Sequence, residues 1–183
     1  MTTRTSRTHP IRIDEVTAGD AGGRIGITFC PGQCGPGASE YHWERDLATD
    51  LDAVARWHPD AVVTLVERHE LDVLGVPRLG EQIMARGIDW HHLPIVDVRP
   101  PDERFEARWR TSGPMLNRLL RHGGRVLVHC RGGLGRAGTV AARLLVELGV
   151  PPDEAVRRVR DARPGAIETT AQLHYVLALG EHG

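Results

Sequence analysis

Residues 126–138 read VLVHCRGGLGRAG, and this stretch decides the fold class. It opens on a largely apolar run typical of a buried strand, and a turn with three glycines follows at once. A helix is predicted from about residue 137 to residue 148. A strand that passes through a tight turn into a helix is the repeating unit of parallel α/β sheets. Ligands bind at the carboxyl ends of such strands, which is where Cys130 is expected.

The alternation of strands and helices continues outward from this stretch. Strands are predicted at 25–29, 61–66 and 89–95, and helices at 43–57, 76–86, 103–121, 153–162 and 169–179. The pattern predicts a single α/β domain over residues 24–183, with a central, mainly parallel sheet flanked by helices. Residues 1–23 are polar and dotted with glycine, and they predict a loose N-terminal arm.

The composition and net charge exclude several classes of protein. The 183 residues carry 23 basic and 24 acidic side chains, which gives a net charge of -1. A nucleic-acid binder or a membrane-surface protein needs a basic excess, so neither class is expected. No apolar run approaches the roughly 18 residues of a membrane span and no secretory signal is recognisable, so a cytoplasmic location is expected. Three cysteines are too few for a disulfide scaffold of this size.

The turn after the strand has the composition of an anion cradle. Its glycines let successive backbone N–H groups point into one small space, and the following helix directs the positive end of its dipole there. The same field favours the thiolate form of Cys130. Phosphate binding is therefore predicted for Arg131, Gly132, Gly133, Leu134, Gly135 and Arg136.

This arrangement predicts nucleophilic phosphoryl transfer. Arg136 can place two donors on the oxygens of a bound phosphoryl group, whose phosphorus then lies next to the Cys130 sulfur. Attack by Cys130 would form a cysteinyl-phosphate, which water would hydrolyse. This chemistry requires no metal ion and no cofactor. A buried cysteine at a strand end is often structural, so the prediction depends on the cysteine, the glycines, the arginine and the helix together.

A leaving alkoxide needs a proton, so an acid should face the cradle. Asp97 and Asp102 are the candidates because both lie on the proline-rich loop after the predicted strand at 89–95. Asp97 comes first off the strand and is preferred. The alternative role for this aspartate is to cap the following turn. His129, inside the strand, is expected to orient its neighbours through hydrogen bonds rather than to transfer protons.

Three motifs in order resemble the cysteine-dependent phosphatases of the tyrosine and dual-specificity superfamily. They are HCRGGLGR at 129–136, HLPIVD at 92–97 and GAIET at 165–169. Within the superfamily, the similarity points to the kinase-associated phosphatase (cyclin-dependent kinase inhibitor 3-like) group. The resemblance implies Cys130 as nucleophile, Arg136 as phosphate clamp and Asp97 as general acid. It implies a metal-independent phosphatase for phosphotyrosine in proteins, and for phosphoserine and phosphothreonine if the cleft is shallow.

Two residues depart from the family pattern. Ala137 stands where the family usually has a hydroxyl that helps the thiolate leave, and Glu168 stands where many relatives have glutamine. Slow breakdown of the phosphoenzyme is the resulting hypothesis, and a catalytically weak phospho-binding module is the alternative function. A sulfurtransferase or arsenate reductase is a third interpretation of the same loop. The expected substrate is a phosphorylated protein or a small phosphate ester.

Weaker patterns lie outside the loop. Cys30 and Cys34 have a spacing that some zinc sites use, but no second cysteine pair accompanies them, so a structural turn is favoured over a metal or redox site. Four arginines near the C-terminus predict a solvated helix face, with a docking surface for an acidic partner as the alternative. They are Arg157, Arg158, Arg160 and Arg163.

Overall fold

The computed structural model describes residues 2–182, which form two sheets and the helices around them. The strands are β1 (Thr2–Arg4), β2 (Asp14–Ala18), β3 (Gly23–Thr28), β4 (Cys34–Pro36), β5 (Tyr41–Glu44), β6 (Ala61–Thr64), β7 (Asp89–His92) and β8 (Arg125–His129). The helices are α1 (Leu47–Arg56), α2 (Arg68–Val73), α3 (Leu79–Met84), α4 (Glu103–Arg121), α5 (Gly135–Glu147), α6 (Pro152–Ala162) and α7 (Thr170–Ala178). A 3₁₀ turn, Leu179–His182, follows α7.

The larger sheet places the ends of its central strands side by side. Its order is β2-β3-β8-β6-β7, in which β2 is antiparallel to β3 and the other pairs are parallel. This confirms the predicted α/β fold with a mainly parallel sheet. Thr28 at the end of β3 and Thr64 at the end of β6 both pair with His129, the last residue of β8. The segments after these three strands therefore leave the sheet at one edge.

The central strands also supply much of the core. All of β6 and the last four residues of β8 are buried, as expected of parallel strands that are covered on both faces. Helices α4 and α5 pack against β3 and β8, and Phe105, Leu116 and Leu144 are fully buried. The segment after β8 therefore leaves from a well-packed sheet edge. No helix within residues 2–182 is long and apolar enough to cross a membrane.

The prediction of a loose arm over residues 1–23 is wrong for the residues that the structure describes, which exclude Met1. Asp14–Ala18 form the edge strand β2, in which Val16 and Ala18 are buried. Thr2–Arg4 pair with β5 in a small second sheet of order β1-β5-β4. In β2 the apolar residues Val16 and Ala18 alternate with polar residues. This alternation is typical of a half-buried strand, and it could have predicted β2 from the sequence.

One helix begins later than predicted, and one helix was not predicted. Tyr41–Glu44 belong to the small sheet, so α1 begins at Leu47 rather than at residue 43, behind the Asp46 cap. Helix α2 has no counterpart among the predicted helices. It follows β6 closely and brings Glu70 to the same edge of the sheet as the end of β8.

Candidate active site

Cys130 lies at the base of the loop that curls from β8 into α5. Its side chain is almost fully buried, and the Gly133 N–H donates a hydrogen bond of 3.3 Å to its Sγ. Gly133 has a φ of +71°, and a Cβ there would meet the carbonyl oxygen of Thr28 at 2.5 Å, so only glycine fits. The loop therefore aims a backbone donor at the sulfur.

The first carbonyl of the loop is bound from outside the loop. The Arg131 carbonyl accepts hydrogen bonds from Gln33 Nε2 at 3.1 Å and from the Cys30 N–H at 3.0 Å. In a planar trans peptide, the carbonyl and the N–H of the same unit point in opposite directions. Holding this carbonyl outward therefore turns the Gly132 N–H toward the centre of the loop.

Arg163 holds the next two carbonyls in the same way. Its Nε donates to the Gly133 carbonyl at 2.9 Å and its Nη2 donates to the Gly132 carbonyl at 3.0 Å, while Nη1 pairs with Asp14 Oδ2 at 2.9 Å. The prediction of a solvated helix face is wrong for Arg163, whose side chain is mostly buried. Arg160 is exposed on α6, as predicted, and it also donates to the carbonyls of Ala166 and Ile167. Arg163 follows the end of α6, where the chain turns back onto the loop. Three successive peptide units thus present their N–H groups to one space.

Arg136 lies in the first turn of α5 and is buried against a carboxylate. Its Nη1 donates to Glu70 Oε2 at 2.7 Å and to the Ile95 carbonyl at 3.1 Å. Its Nη2 donates to Glu70 Oε1 at 2.9 Å and lies 3.0 Å from Asp97 Oδ1. The remaining donor, Nε–H, bonds to none of the residues that the structure describes. The Nε–H of Arg136 and its Nη2–H beside Asp97 are therefore the donors that can bind an anion.

The charges of this pair are stable around neutral pH. Burial raises the pKa of the Glu70 carboxyl, but the hydrogen bonds from Arg136 and from the Glu67 N–H outweigh burial and leave that pKa below its usual value. Burial lowers the pKa of the Arg136 guanidinium, and the hydrogen bonds to Glu70 more than offset this effect. Both groups are therefore ionised, and the guanidinium keeps a fixed orientation.

Asp97 and Asp102, the two candidates for the acid, have different surroundings. The Asp97 side chain is 59% exposed and lines the same cavity as Cys130 and Arg136. Asp102 is the N-cap of α4, where its Oδ1 accepts the Phe105 N–H at 2.9 Å. Asp102 therefore has a structural role, and Asp97 is the carboxylate that faces the loop.

His129 is fully buried behind the loop in a chain of hydrogen bonds. Trp90 Nε1 donates to Thr64 Oγ1 at 2.9 Å, Thr64 Oγ1 lies 2.7 Å from His129 Nε2, and His129 Nδ1 lies 3.1 Å from the Cys130 carbonyl. Because a carbonyl only accepts, Nδ1 carries the proton and Thr64 donates to Nε2. Burial lowers the pKa of His129 to about 4, so the ring is neutral. It fixes the backbone at Cys130 without adding charge.

Glu168 and Gln172 close the other side of the loop. Glu168 Oε1 accepts the Gly135 N–H at 2.8 Å, and the fully buried Gln172 accepts the N–H of Glu168 at 3.1 Å. A Cβ at Gly135 would lie 2.9 Å from Gln172 Oε1 and 3.0 Å from Glu168 Oε1, which explains a glycine there. Ala137 is fully buried. The Glu168 carboxylate therefore binds one amide of the loop.

These groups open into one cavity of about 510 Å³. Its floor is the loop with Cys130 and Arg136, and its sides carry Asp97, Arg163, Glu168 and Gln172. The rest of the lining is Val98 and a group of residues from the N-terminal segment: Phe29, Gln33, Pro36, Gly37, Ala38, Tyr41 and Trp43. The structure thus brings Asp97, Cys130, Arg131, Gly132, Leu134, Gly135 and Arg136 together around one space, with Gly133 and His129 behind it.

The other two cysteines are free thiols. Burial, followed by the nearby Cys130, raises the pKa of the Cys30 thiol, which keeps it protonated. Cys34 begins β4, and its Sγ lies 3.6 Å from the Arg45 carbonyl. Within residues 2–182, no three His, Cys, Asp or Glu side chains are grouped as metal ligands.

Sequence reasoning missed Glu70 and Arg163. Glu70 lies four residues after the apolar run that ends at Val66, so its place beyond a strand end was an available signal. Arg163 lies two residues before the GAIET motif at 165–169, but no local pattern indicates that its side chain contacts a loop thirty residues earlier.

Comparison with known proteins agrees with this geometry. Residues 44–176 match a family model described as "Swiss Army Knife protein, DSP-PTPase phosphatase domain". The chain is 32% identical over 177 residues to cyclin-dependent kinase inhibitor 3 of Rattus norvegicus, covering 89% of this chain and 82% of that protein. It is 33% identical over 157 residues to the Homo sapiens protein of the same name, covering 84% and 73%.

Solved structures show the same relationship. A crystal structure of kinase-associated phosphatase with its catalytic-site cysteine replaced by serine superposes with a TM-score of 0.81 at 29% identity, covering 94% of this chain and 96% of that one. The active form of Tk-PTP superposes with a TM-score of 0.67 at 33% identity, covering 91% and 98%.

Proposed function

The chain belongs to the cysteine-based tyrosine and dual-specificity phosphatase family, and we propose that it hydrolyses phosphate monoesters of proteins, phosphotyrosine among them, through a cysteinyl-phosphate. The observation that carries this proposal is the loop whose carbonyls are bound from outside while its N–H groups surround Cys130. Such a ring of donors, with Arg136, supplies the positive field that phosphoryl transfer needs.

In the first step, three phosphate oxygens accept the loop N–H groups and the free donors of Arg136. Phosphate would compete with Asp97 for the Arg136 Nη2, and this frees the Asp97 carboxyl to protonate the leaving group. The Cys130 thiolate attacks phosphorus and forms the S–P bond. The P–O bond to the substrate breaks, and the leaving oxygen takes its electron pair and the proton of Asp97.

In the second step, water attacks the phosphorus of the cysteinyl-phosphate. Asp97, now a carboxylate, takes a proton from the water as the P–O bond forms. The S–P bond breaks, and Cys130 leaves as the thiolate that the Gly133 N–H stabilises. Inorganic phosphate is released and the site returns to its starting state.

The test is hydrolysis of an aryl phosphate with a chelator present, by wild type and by Cys130→Ser. We expect activity that is unaffected by the chelator and absent from the variant, because serine is a far weaker nucleophile at neutral pH. Equal activity in both proteins would refute the proposed nucleophile. Asp97→Asn should lower kcat about 100-fold for a poor leaving group, whereas a sulfurtransferase or arsenate reductase has no clear need for this acid.

A second candidate function, a phospho-binding module of low turnover, is supported by Glu168 and Ala137. The Glu168 carboxylate holds the Gly135 N–H that a phosphate oxygen would otherwise use. Ala137 has no hydroxyl to help the thiolate leave. Vanadate binding to a folded wild-type protein that releases no phosphate would favour this function over the phosphatase.

A further inference from the structure

The turn that carries Asp97 has a backbone conformation that its own sequence disfavours. Residues 96–99 form a tight turn, closed by a hydrogen bond of 3.1 Å from the Arg99 N–H to the Val96 carbonyl. Its third residue, Val98, has a φ of +58° and is 62% exposed. A positive φ at this position favours glycine or asparagine, and a β-branched residue there is strained. Because Val98 is exposed, packing offsets little of this strain, and the turn needs support from another segment.

Gln172 gives this support from helix α7. Its Nε2 donates a hydrogen bond of 3.3 Å to the Arg99 carbonyl at the end of the turn. Its Oε1 accepts the N–H groups of Glu168 at 3.1 Å and of Thr169 at 3.2 Å. The Gln172 side chain is fully buried. The Gln172 amide therefore joins the turn of Asp97 to the start of α7.

The same amide lies against the phosphate-binding loop. A Cβ at Gly135 would lie 2.9 Å from Gln172 Oε1 and 3.0 Å from Nε2. A reversed amide would face the Arg99 carbonyl with an oxygen, so only one orientation satisfies its partners. Gln172 thus contacts the turn, the Glu168 segment and the loop in one fixed orientation.

The other contacts of the turn change during the proposed reaction. Asp97 Oδ1 accepts the Val98 N–H at 2.9 Å and lies 3.0 Å from Arg136 Nη2. A bound phosphate would compete for this Nη2, and the Asp97 carboxyl must be protonated before it acts as an acid. The hydrogen bond from Gln172 to the Arg99 carbonyl involves neither of these groups. It can therefore hold the turn while substrate is bound.

We propose that Gln172 is a positioning residue for the general acid, because it holds the strained turn so that the Asp97 carboxyl faces the leaving group. This inference rests on the proposed function, in which Asp97 protonates the leaving oxygen. Gln172 acts through the turn and not on the substrate. Its effect should therefore appear where protonation of the leaving group limits the rate. Glycine at position 98 would remove the strain, so the support from Gln172 should then matter little.

The experiment compares a substrate that needs the acid with one that does not. Phenyl phosphate has a poor leaving group, whereas dinitrophenyl phosphate has a good one. Gln172→Glu keeps an oxygen for the two N–H groups at the start of α7 but has no N–H for the Arg99 carbonyl. We expect this variant to lower kcat/KM for phenyl phosphate about 30-fold and that for dinitrophenyl phosphate less than about threefold. The added charge affects both phosphates alike, so it cancels in the ratio of the two values.

Two further variants test the cause of this effect. In a chain that carries Val98→Gly, Gln172→Glu should change the ratio less than about threefold, because the turn no longer needs the support. Thr169→Ala is the matched control, since it removes the oxygen that accepts the Gln172 N–H at 3.1 Å and leaves the contact with Arg99 in place. Its ratio should change less than about twofold. The proposal is overturned if Thr169→Ala and Gln172→Glu change the ratio equally, or if Val98→Gly does not reduce the effect.

A measurement without turnover separates this inference from the proposed function. Exchange of the Arg99 N–H with water, followed by NMR, reports on the turn directly. Gln172→Glu should speed this exchange about tenfold, and less than about threefold in the chain with Val98→Gly. If wild type hydrolyses neither substrate, this result still supports the role of Gln172 in holding the turn, and only the proposed function fails. Unchanged exchange would overturn the positioning role even in an active enzyme. Circular dichroism checks folding, and Gln172→Met takes the place of a Gln172→Glu chain that does not fold.

Discussion

Arg45 and Arg136 are both buried and both held by two hydrogen bonds to one carboxylate. Arg45 directs its Nε and Nη2 at Asp50, and rings cover its face, so no solvent-borne anion can reach it. Arg136 directs Nη1 and Nη2 at Glu70 and lines the cavity, and its Nε–H bonds to none of residues 2–182. The same pairing therefore stabilises the fold in one place and prepares an anion site in the other. The two arginines differ in the edge of the guanidinium that the carboxylate occupies.

Replacing Arg136, the arginine that lines the cavity, should have the largest effect. Arg136→Lys should lower kcat/KM for an aryl phosphate about 1,000-fold, because an ammonium cannot bind Glu70 and phosphate in fixed directions at once. The midpoint of thermal unfolding should move by only a few degrees. Steady-state kinetics and calorimetry measure the two quantities, and activity within tenfold of wild type would contradict the role given to Arg136.

Breaking the covered pair should act on stability instead. Asp50→Asn should lower the free energy of unfolding by about 3 kcal/mol, because it leaves a buried guanidinium without its counter-charge. Turnover of a small alkyl phosphate by the folded protein should be unchanged. Asp52→Asn is the control, since Asp52 pairs with Arg86 at the surface and should cost about 1 kcal/mol at most. Urea titration measures both, and equal losses for the two variants would remove the distinction between them.

A third arginine tests whether the orientation of the loop peptides affects anion binding. Arg163 pairs with Asp14 and also holds two loop carbonyls, without lying beside the sulfur. Arg163→Lys should weaken vanadate binding about tenfold, because one ammonium cannot hold both carbonyls in the same directions. Asp14→Asn keeps the carbonyl contacts and should weaken vanadate binding less than threefold. If the two variants bind vanadate equally well, anion binding by the loop does not depend on the hydrogen bonds from Arg163 to its carbonyls.

The smallest expected effect concerns the carboxylate on the loop itself. Glu168→Gln keeps an oxygen for the Gly135 N–H but removes a negative charge near the phosphate. The hypothesis of slow phosphoenzyme breakdown predicts a pre-steady-state burst in wild type. The variant should show a smaller burst and a turnover two- to fivefold faster, the size expected of one partly exposed charge. Rapid-quench kinetics decides, and a wild-type trace that is linear from the first cycle would count against the hypothesis.

The sequence predictions are accurate where the signal lies in neighbouring residues, and they fail where the structure depends on distant ones. Helix α4 was predicted with its observed ends because a proline-rich loop precedes it and its apolar residues recur regularly. Strand β2 was predicted as part of a loose arm, and the end of β5, from residue 43, was predicted as helix. The strand state of β5 depends on its partners, since it pairs with residues 2–4 and 34–36.

The α/β class and the loop of Cys130 and Arg136 follow from the sequence alone. Strand, turn and helix lie within thirteen consecutive residues there, so backbone geometry and helix direction follow from local composition. The surroundings of that loop depend on tertiary contacts. Glu70 reaches Arg136 across 66 residues and Arg163 reaches Gly133 across 30, and Phe29, Tyr41 and Trp43 reach the cavity from the N-terminal segment. Contacts between distant segments depend on how the sheet aligns its strand ends and how the chain packs on that edge, and no local pattern specifies either.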